Sequence, residues 1–292
     1  MIIVKLMGGL GNQLFQYAAG RALAEHKNTH IKLDISWFNK QSLRNYRLEY
    51  LKIKTSIASI SEIEHITLNK NVVYYKFRKF FQEQLPYYRR SVFNEQNPAL
   101  YDNNIWKTPK KVYLKGYWQS ENYFSCISGQ LRKEFIPKKE PDKVNAQLIE
   151  YIRRVNSVSI HVRRRDYVSN PTANRYHGLC TLEYYQQAIQ IVAEQVSTPH
   201  FFIFSDDPDW SQANLKLSFP LRLVKHNDVE KDYEDLRLIS HCKHHIIANS
   251  SFSWWGAWLN KNPYKIVITP KRWFREPDQD TKDRIPATWI KI

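Results

Sequence analysis

The chain has 292 residues, of which 42% are hydrophobic and 25% are charged, and this composition excludes an intrinsically disordered protein. A chain of this length favours two domains over a single compact core. Its 44 lysines and arginines outnumber its 28 aspartates and glutamates, and the net charge of +16 favours anionic partners: phosphate groups, nucleic acid or an acidic membrane surface.

Targeting and cysteine signals point to the cytoplasm. No apolar run approaches the roughly 20 residues that cross a bilayer, and residues 1–5 lack the cationic start of a signal peptide. The three cysteines, Cys126, Cys180 and Cys242, have no paired spacing, which argues against a disulfide framework and against a zinc site. We expect all three to be reduced and structural.

The N-terminal segment has the order strand, glycine turn, helix, which begins an α/β unit. A strand is predicted at residues 2–6, and helical periodicity runs over residues 14–23. The turn between them does not have the G-x-G-x-x-G spacing of a dinucleotide site. Because glycine lets a ligand approach the backbone and amides can hydrogen-bond it, the candidates for ligand contact are Gly9, Gly11, Asn12 and Gln13.

The remainder of the first half is less regular. Strands are predicted at residues 30–35 and 111–115, and the polar, proline-flanked residues 137–142 are the best candidate for a linker. Residues 70–90 alternate basic and aromatic side chains. We favour a solvated helix whose aromatic side chains face the core, and peripheral contact with an acidic membrane is the alternative.

Beyond the linker, strand and helix signals alternate, which predicts a mostly parallel sheet flanked by helices. Strands are predicted at residues 157–162, 200–204, 221–225, 245–248 and 265–269, and helices at residues 182–196, 233–240 and 253–259. Ligands bind beyond the carboxyl ends of the strands in such sheets. Three polar clusters fall at these ends.

The first cluster, HVRRRD, spans residues 161–166. Alternation along an extended chain puts His161, Arg163 and Arg165 on one side and Arg164 on the other. A departing diphosphate requires fixed positive charge, and a planar guanidinium matches phosphate oxygens, so Arg163 is the candidate for this role. Asp166 either orients an arginine or contacts an acceptor hydroxyl. The alternative is a run of surface charge or a contact with nucleic acid.

The second cluster spans residues 244–256, where an apolar strand reaches an asparagine and three serines at the start of a helix. Backbone N–H groups and the helix dipole favour an anion there, and serine hydroxyls add donors that suit a diphosphate. A plain N-cap explains Ser250 or Ser251 equally well. The candidates for donor binding in this cluster are His245, Asn249, Ser250, Ser251 and Ser253.

The third cluster, FSDDPD, spans residues 204–209. Clustered acids raise the alternative of a divalent metal ion. No further acid or histidine surrounds the cluster in the sequence, and arginines are available to neutralise phosphate, so we expect no metal. Asp206 and Asp207 are instead expected to hydrogen-bond the donor nucleotide or to cap a helix that follows Pro208.

Taken together and in this order, five segments resemble the α-1,2-fucosyltransferases of bacteria and animals, glycosyltransferase family 11. They are GGLGNQLFQYAAGRAL at 8–23, KGYWQSENYF at 115–124, HVRRRDYV at 161–168, FSDDPDW at 204–210 and NSSFSWWGAWL at 249–259. The resemblance implies an α/β fold of GT-B type, with two facing Rossmann-like domains that contain parallel sheets. Residues 1–138 would form the acceptor-side domain, and residues 139–292 would bind the donor, GDP-β-L-fucose.

The resemblance also implies roles for single residues. The family's His-x-Arg-Arg-x-Asp motif falls on His161, Arg163, Arg164 and Asp166, with Arg163 on the β-phosphate. The serine turn would contact phosphate and fucose, and the glycine loop would place Asn12 near the reacting centre. This chain has Arg165 where many bacterial members have glycine, a departure in the variable slot of the motif.

The implied reaction is inverting transfer of L-fucose to O2 of a terminal galactose, on a glycan or a lipid-linked oligosaccharide, without cofactor or metal, as in O-antigen synthesis. The acceptor hydroxyl loses a proton, for which Asp166 is one candidate base. Proton loss to water or to the departing phosphate would require no protein base. The alternatives are a fucosyltransferase of another linkage, a carbohydrate-binding module and a nucleic-acid-binding protein, although no nucleic-acid-binding motif is present.

Overall fold

A computed structural model describes residues 1–41, 43–67, 84–98, 100–165, 168, 175, 178–275 and 282–292. The chain divides into two compact units. The first unit comprises Met1–Ile136 and Lys282–Ile285, and the second comprises Pro137–Thr281 and Pro286–Ile292. The C-terminal part of the chain therefore contributes to both units. The predicted division has a single boundary after residue 138 and assigns all of that part to the second domain.

Within the described residues, the first unit contains a parallel five-stranded sheet in the order β3-β2-β1-β5-β4. The central strand is fully buried from Ile2 to Val4, as expected for an apolar parallel strand that is covered on both faces. The strands are β1 (Ile2–Lys5), β2 (Ile31–Asp34), β3 (Ser56–Ile57), β4 (Val92–Asn94) and β5 (Val112–Lys115), and the α-helices are α1 (Leu10–His26), α2 (Ile60–Thr67) and α3 (Ser128–Glu134).

The second unit contains a six-stranded sheet in the order β11-β10-β9-β6-β7-β8, and its described pairs are parallel. Its strands are β6 (Asn156–Val162), β7 (Pro199–Ser205), β8 (Leu221–Val224), β9 (His244–Ile246), β10 (Val267–Thr269) and β11 (Ile290–Lys291). Its α-helices are α4 (Lys143–Arg154), α5 (Leu182–Gln195), α6 (Pro208–Asn214), α7 (Asp232–His241) and α8 (Ser251–Leu259).

Helices cover both faces of the second sheet. One core contains Val158, Ile160 and Val162 of β6 with apolar residues of α5. The other contains apolar residues of β7, α4 and α7. The alternate positions of β6, Ser157 and Ser159, are polar although they are buried, and this polar row leads along the strand to the candidate site.

The predicted α/β class with parallel sheets is confirmed. Each predicted strand corresponds to a strand of the structure, with ends that differ by one or two residues. The strands β3, β4 and β11 and the helices α2, α3 and α4 were not predicted. Most of the basic and aromatic segment at residues 70–90 lies outside the described residues, because residues 68–83 are not among them.

Two further observations concern the cysteines and the membrane. Cys180 and Cys242 are buried and unpaired, which fits a structural role, whereas Cys126 is exposed and does not. In the described ranges, no helix combines the length and the apolar composition that a membrane crossing requires.

Candidate active site

The three polar clusters of the second unit meet at one edge of its sheet. β6 lies between β7 and β9. Val162 at the end of β6 pairs with Ser205 at the end of β7, so the segments that begin at Arg163 and Asp206 leave the sheet side by side. On the other side of β6, β9 leads into the start of α8. This is the carboxyl edge, where ligands bind in parallel sheets.

Asp206 organises the arginine cluster. Its Oδ1 accepts a hydrogen bond from the backbone N–H of Arg164 at 2.8 Å, and its Oδ2 accepts one from the backbone N–H of Arg165 at 3.2 Å. Oδ2 also lies 3.2 Å from Nη1 of Arg163. The Arg163 and Asp206 side chains are 22% and 20% exposed. One partly shielded carboxylate therefore fixes both the turn after β6 and the direction of a guanidinium.

Arg164 is held against α6. Its guanidinium lies 3.9 Å from the centre of the Trp210 ring, and its Nε lies 3.5 Å from Oδ2 of Asp207. The other Asp207 oxygen, Oδ1, accepts a hydrogen bond from the backbone N–H of Trp210, so Asp207 is the N-cap that was considered for the helix after Pro208. Stacking and ion pairing together restrict the movement of the Arg164 side chain more than that of an arginine on an open surface is restricted.

The sequence left open that Asp206 and Asp207 bind a divalent metal ion. In the structure both carboxylates contact arginine side chains. Across the described part of the chain, no three side chains of histidine, cysteine, aspartate or glutamate are grouped as metal ligands. Contacts of the two carboxylates with the donor stay a prediction.

The predicted alternation from His161 to Arg165 does not extend past Val162, because β6 ends there and the backbone turns towards Asp206. Asp166 lies outside the described residues, and its assignment as base or as arginine partner stays a prediction.

His161 is a neutral, buried side chain. Its ring is 6% exposed and packs against Phe252 with ring centres 5.5 Å apart. Burial, together with the positive charge of Arg163, lowers the pKa of His161 to about 3. Its Nδ1 has no hydrogen-bond partner in the part of the chain that the structure describes. The His161 ring is therefore uncharged near neutral pH, and its contact with the donor stays a prediction.

The serine turn serves mainly to build α8. Ser250 is the N-cap, and its Oγ accepts a hydrogen bond from the backbone N–H of Phe252 at 3.3 Å. The alternative that this serine simply caps the helix is therefore confirmed for Ser250. Ser253 is fully buried and donates to the carbonyl oxygens of Ala248 and Ser250, and a contact of its hydroxyl with the donor stays a prediction. Ser251 is partly exposed at the first helical position, where anions bind.

Asn249 connects three segments below this turn. Its side chain is buried, and its Nδ2 donates to the carbonyl oxygens of Trp273 at 3.2 Å and Gly178 at 3.4 Å. Its Oδ1 accepts from the Cys180 thiol at 3.5 Å. Both ends of the Asn249 amide therefore bind the protein, and its contact with the donor stays a prediction.

His245 was also predicted to contact the donor; this contact stays a prediction, and in the structure the ring is enclosed by the protein. The side chain is fully buried, with Nδ1 2.8 Å from Oγ of Ser159 and Nε2 2.7 Å from Nδ2 of Asn260. Oδ1 of Asn260 accepts a backbone N–H from Asn262, which turns Nδ2 towards the ring and makes Nε2 the acceptor. Burial lowers the pKa of His245 well below its usual range.

The glycine loop lies in the first unit, where Gly8 has a positive φ of +80° and Gly9 is the N-cap of α1. Gly11 is buried in the first turn of the helix. Gln13 is fully buried, donates to the carbonyl oxygens of Gly8 and Asn45, and accepts the backbone N–H of Arg47. The Gln13 amide is therefore engaged by the protein at both ends, and its contact with a ligand stays a prediction.

Asn12 is the partly exposed polar side chain of this loop. Its Oδ1 accepts a hydrogen bond from Nε2 of Gln119 at 2.7 Å, and Oε1 of Gln119 accepts one from Nη1 of Arg284. Neither Gln119 nor Arg284 was among the predicted site residues. Gln119 lies inside the KGYWQSENYF segment, which is a signal in the sequence, whereas nothing local marks Arg284.

The profile described as Glycosyl transferase family 11 matches residues 1–292. The chain is 35% identical over 301 residues to an alpha-1,2-colitosyltransferase of Escherichia coli, covering 100% of this chain and 99% of that protein. It is 30% identical over 282 residues to the O-antigen biosynthesis glycosyltransferase WbnK of Escherichia coli, covering 92% and 93%.

Among solved structures, the fold is similar to that of the glycosyl transferase family 9 protein of Veillonella parvula. The TM-score is 0.50 at 9% identity, and the similarity covers 100% of this chain and 86% of that one. This likeness concerns the fold alone, and with the two parallel sheets it agrees with the predicted GT-B type. Since the family profile spans the whole chain and both relatives match along nearly their full lengths, the chain belongs to glycosyl transferase family 11.

Proposed function

We propose that this glycosyltransferase moves L-fucose from GDP-β-L-fucose to O2 of a terminal β-galactose during synthesis of a bacterial O-antigen. The observation that carries the proposal is the contact of Asp206 with the Arg163 guanidinium and with the turn after β6, at the carboxyl edge of the sheet. The α1,2 linkage and the O-antigen setting are supported by the names of the two Escherichia coli relatives.

The chemistry of the leaving group explains why a fixed arginine is required. When the bond between the sugar and the β-phosphate breaks, the electron pair leaves with GDP, and negative charge develops on the phosphate. A guanidinium has five N–H donors, and the ion pair with Asp206 engages Nη1 of Arg163. A donor already held in position stabilises developing charge without a cost of reorientation. Arg163 is therefore the proposed phosphate ligand, with Arg164 and the start of α8 beside it.

The reaction proposed is a direct displacement with inversion. The acceptor O2 forms a bond to the anomeric carbon as the bond to the phosphate oxygen breaks, and the acceptor hydroxyl gives up its proton. Asp166 is the proposed protein base, and the phosphate or water is the alternative recipient of the proton. No metal is invoked, since two arginines and a helix N-terminus supply positive potential at the same edge of the sheet.

A second candidate donor is favoured by one comparison. The relative with 35% identity over the whole chain is named an alpha-1,2-colitosyltransferase. Colitose is the 3-deoxy analogue of fucose, so the two sugars share the anomeric carbon, the 6-methyl group and the site of the phosphate bond. A diphosphate site built on Arg163 serves either sugar, and selection depends on what surrounds the 3-position.

We further propose that the acceptor is a lipid-linked oligosaccharide and that the enzyme works at the cytoplasmic face of the plasma membrane. The net charge of +16 and the basic residues in segment 70–90 support contact with acidic lipid.

The test is a GDP-release assay with GDP-fucose and GDP-colitose against a panel of galactosides and other sugars, with and without EDTA. We expect release that depends on a galactoside, a 1→2 linkage in the product by NMR, and no effect of EDTA. Release with neither donor would contradict the proposed function. A larger kcat/KM with GDP-colitose would select the second candidate.

A further inference from the structure

A row of three side chains connects the C-terminal segment of the first unit with its glycine loop. Arg284 donates through Nη1 to Oε1 of Gln119, and Gln119 donates through Nε2 to Oδ1 of Asn12 at 2.7 Å. Arg284 is 4% exposed, and its Nη2 also donates to the carbonyl oxygen of Pro98 at 3.0 Å. The row therefore begins at a buried cation and ends at a partly exposed amide.

The cation fixes the direction of every bond in the row. A guanidinium has donors and no acceptor, so the end of Gln119 that meets Arg284 must be its oxygen. The amide nitrogen of Gln119 then faces Asn12, and the atom of Asn12 that meets it must be an oxygen. Nδ2, with its two hydrogens, is the end of Asn12 that Gln119 does not engage.

Arg284 is itself held in place by its neighbours in the chain and in space. Asp283 accepts the backbone N–H of Tyr101 through Oδ2 at 3.0 Å, and its carbonyl oxygen accepts the hydroxyl of Ser120. Burial raises the pKa of the Glu95 carboxyl, and the positive charge of Arg284 opposes this rise. Because a buried charge is costly without partners, these contacts keep the guanidinium at one position.

The Nδ2 end of Asn12 lies beside Gly8 of the glycine loop. A Cβ placed on Gly8 would be 2.6 Å from Nδ2 of Asn12, and the φ of Gly8 is +80°, so glycine at this position leaves room for the amide. Nδ2 is therefore located at a stretch of backbone that a ligand can approach closely.

We propose that Arg284 and Gln119 are positioning residues that turn the N–H donors of Asn12 towards a hydroxyl oxygen of the acceptor sugar. The identity of that sugar rests on the proposed function. The direction of the Asn12 amide does not, because it follows from the donor character of Arg284. With its Oδ1 engaged by Gln119, Asn12 supplies a donor and is not the group that removes the acceptor proton.

Gln119→Glu tests which end of the Asn12 amide faces residue 119, with almost no change in the shape of the side chain at that position. A carboxylate still pairs with Arg284, but it has only acceptors, so Asn12 must turn Nδ2 towards it and present Oδ1 to the ligand. We expect kcat/KM for the acceptor to fall by about 10- to 100-fold, the effect of losing one buried hydrogen bond to substrate. The KM for the nucleotide donor and the melting temperature should change little.

Two further variants serve as references. Asn12→Asp removes the donor directly and should lose acceptor kcat/KM to the same extent. Gln96→Glu makes the same chemical change at an exposed glutamine of the first unit and should behave as the wild type. If Gln119→Glu retains acceptor kcat/KM within about twofold while Asn12→Asp loses activity, the proposal is overturned.

A spectroscopic measurement separates this inference from the proposed function. In ¹⁵N-labelled protein, the Asn12 side-chain NH₂ signals, identified by their loss in Asn12→Asp, should shift and exchange more slowly with water in Gln119→Glu, where they bind a carboxylate. Unchanged Asn12 signals would overturn the inference, whatever the assay shows. Absence of GDP release by the wild type, with the shift present, would refute the proposed function alone.

Discussion

The Arg163 guanidinium lies 3.2 Å from the carboxylate of Asp206, at the ends of two neighbouring parallel strands. The pair is partly exposed, so its direct contribution to the free energy of unfolding is small. The pair instead fixes the local geometry, because the same carboxylate accepts hydrogen bonds from two backbone N–H groups of the turn after β6. A phosphate that binds Arg163 would meet a guanidinium whose direction is already set.

Replacing Arg163 by lysine should separate charge from geometry. Arg163→Lys keeps one positive charge but loses the planar pair of donors, so we expect kcat for GDP release to fall by about 100-fold, as when one preorganised donor is removed. Arg154→Lys, at an exposed position of α4, is the matched control and should have wild-type kinetics. Normal turnover of Arg163→Lys would exclude Arg163 as the phosphate ligand.

Asp206→Asn should reduce activity through Arg163. The amide keeps the size of the side chain but has one acceptor oxygen, so it cannot hold both backbone N–H groups and the guanidinium. We expect kcat to fall by about 10-fold and the free energy of unfolding to fall by about 1 kcal/mol or less, because the polar groups that lose a partner stay partly exposed to water. Kinetics and urea unfolding measure the two effects.

Asp207→Asn is the comparison for this variant. Asp207 caps α6 and meets Arg164 rather than Arg163, and asparagine caps a helix as well as aspartate, so Asp207→Asn should change stability little and kcat less than Asp206→Asn. Equal effects of the two variants on kcat would argue against a positioning role of Asp206.

The positions of the arginine and acidic clusters could be predicted because their signals are local. An apolar run followed by polar residues identifies a strand end, and the alternation of strands with helices implies a parallel sheet that brings such ends to one edge. The short strands β3 and β11, of two residues each, have no such pattern and were missed.

The roles of single polar residues were harder to predict, because residue type does not reveal which way a side chain points. Gln13, His245 and Ser253 have suitable chemistry for a ligand and stand beside suitable residues, yet each is fully buried and bound to the protein itself. Arg284, in contrast, was not among the predicted site residues, although it contacts Gln119. Its contact with Gln119 joins residues 165 positions apart, and no local pattern encodes a contact at that separation.

The two buried histidines of the second unit should make its stability depend on pH. Burial lowers the pKa of His161 to about 3 and that of His245 well below its usual range. In the unfolded chain both titrate near about pH 6.5. Between about pH 6.5 and 3 the unfolded state therefore binds more protons at these two positions, and each histidine should lower the free energy of unfolding by about 1.4 kcal/mol per pH unit as the pH is lowered.

Denaturant unfolding at pH 7, 6 and 5 measures this dependence. His161→Gln removes one titrating group and should reduce the slope between pH 6 and 5 by about 1.4 kcal/mol per pH unit. Replacement of the exposed His30 in the same way serves as the control. A variant lacking His161 with the wild-type slope would mean that this ring is not protonated on unfolding in that range.

Gly256 and Gly129 should respond in opposite directions to replacement by alanine. Alanine in a helix is favoured over glycine by about 1 kcal/mol. In α8, however, a Cβ at Gly256 would lie 2.3 Å from Cγ2 and 3.0 Å from Cβ of Ile239. The second distance matters, because rotation of the isoleucine side chain cannot move its own Cβ. Overpacking of this kind costs about 1–3 kcal/mol.

The net effect of Gly256→Ala should therefore be a loss of up to about 2 kcal/mol in the free energy of unfolding, since overpacking outweighs the gain in helix propensity. At Gly129 in α3 no atom lies within 4 Å of the added methyl group, so Gly129→Ala should be stabilising. Thermal melting of both variants beside the wild type gives the signs directly. If Gly256→Ala melts at or above the wild-type temperature, then α7 and α8 can separate at little cost, and the start of α8 is less firmly fixed than the proposed diphosphate site requires.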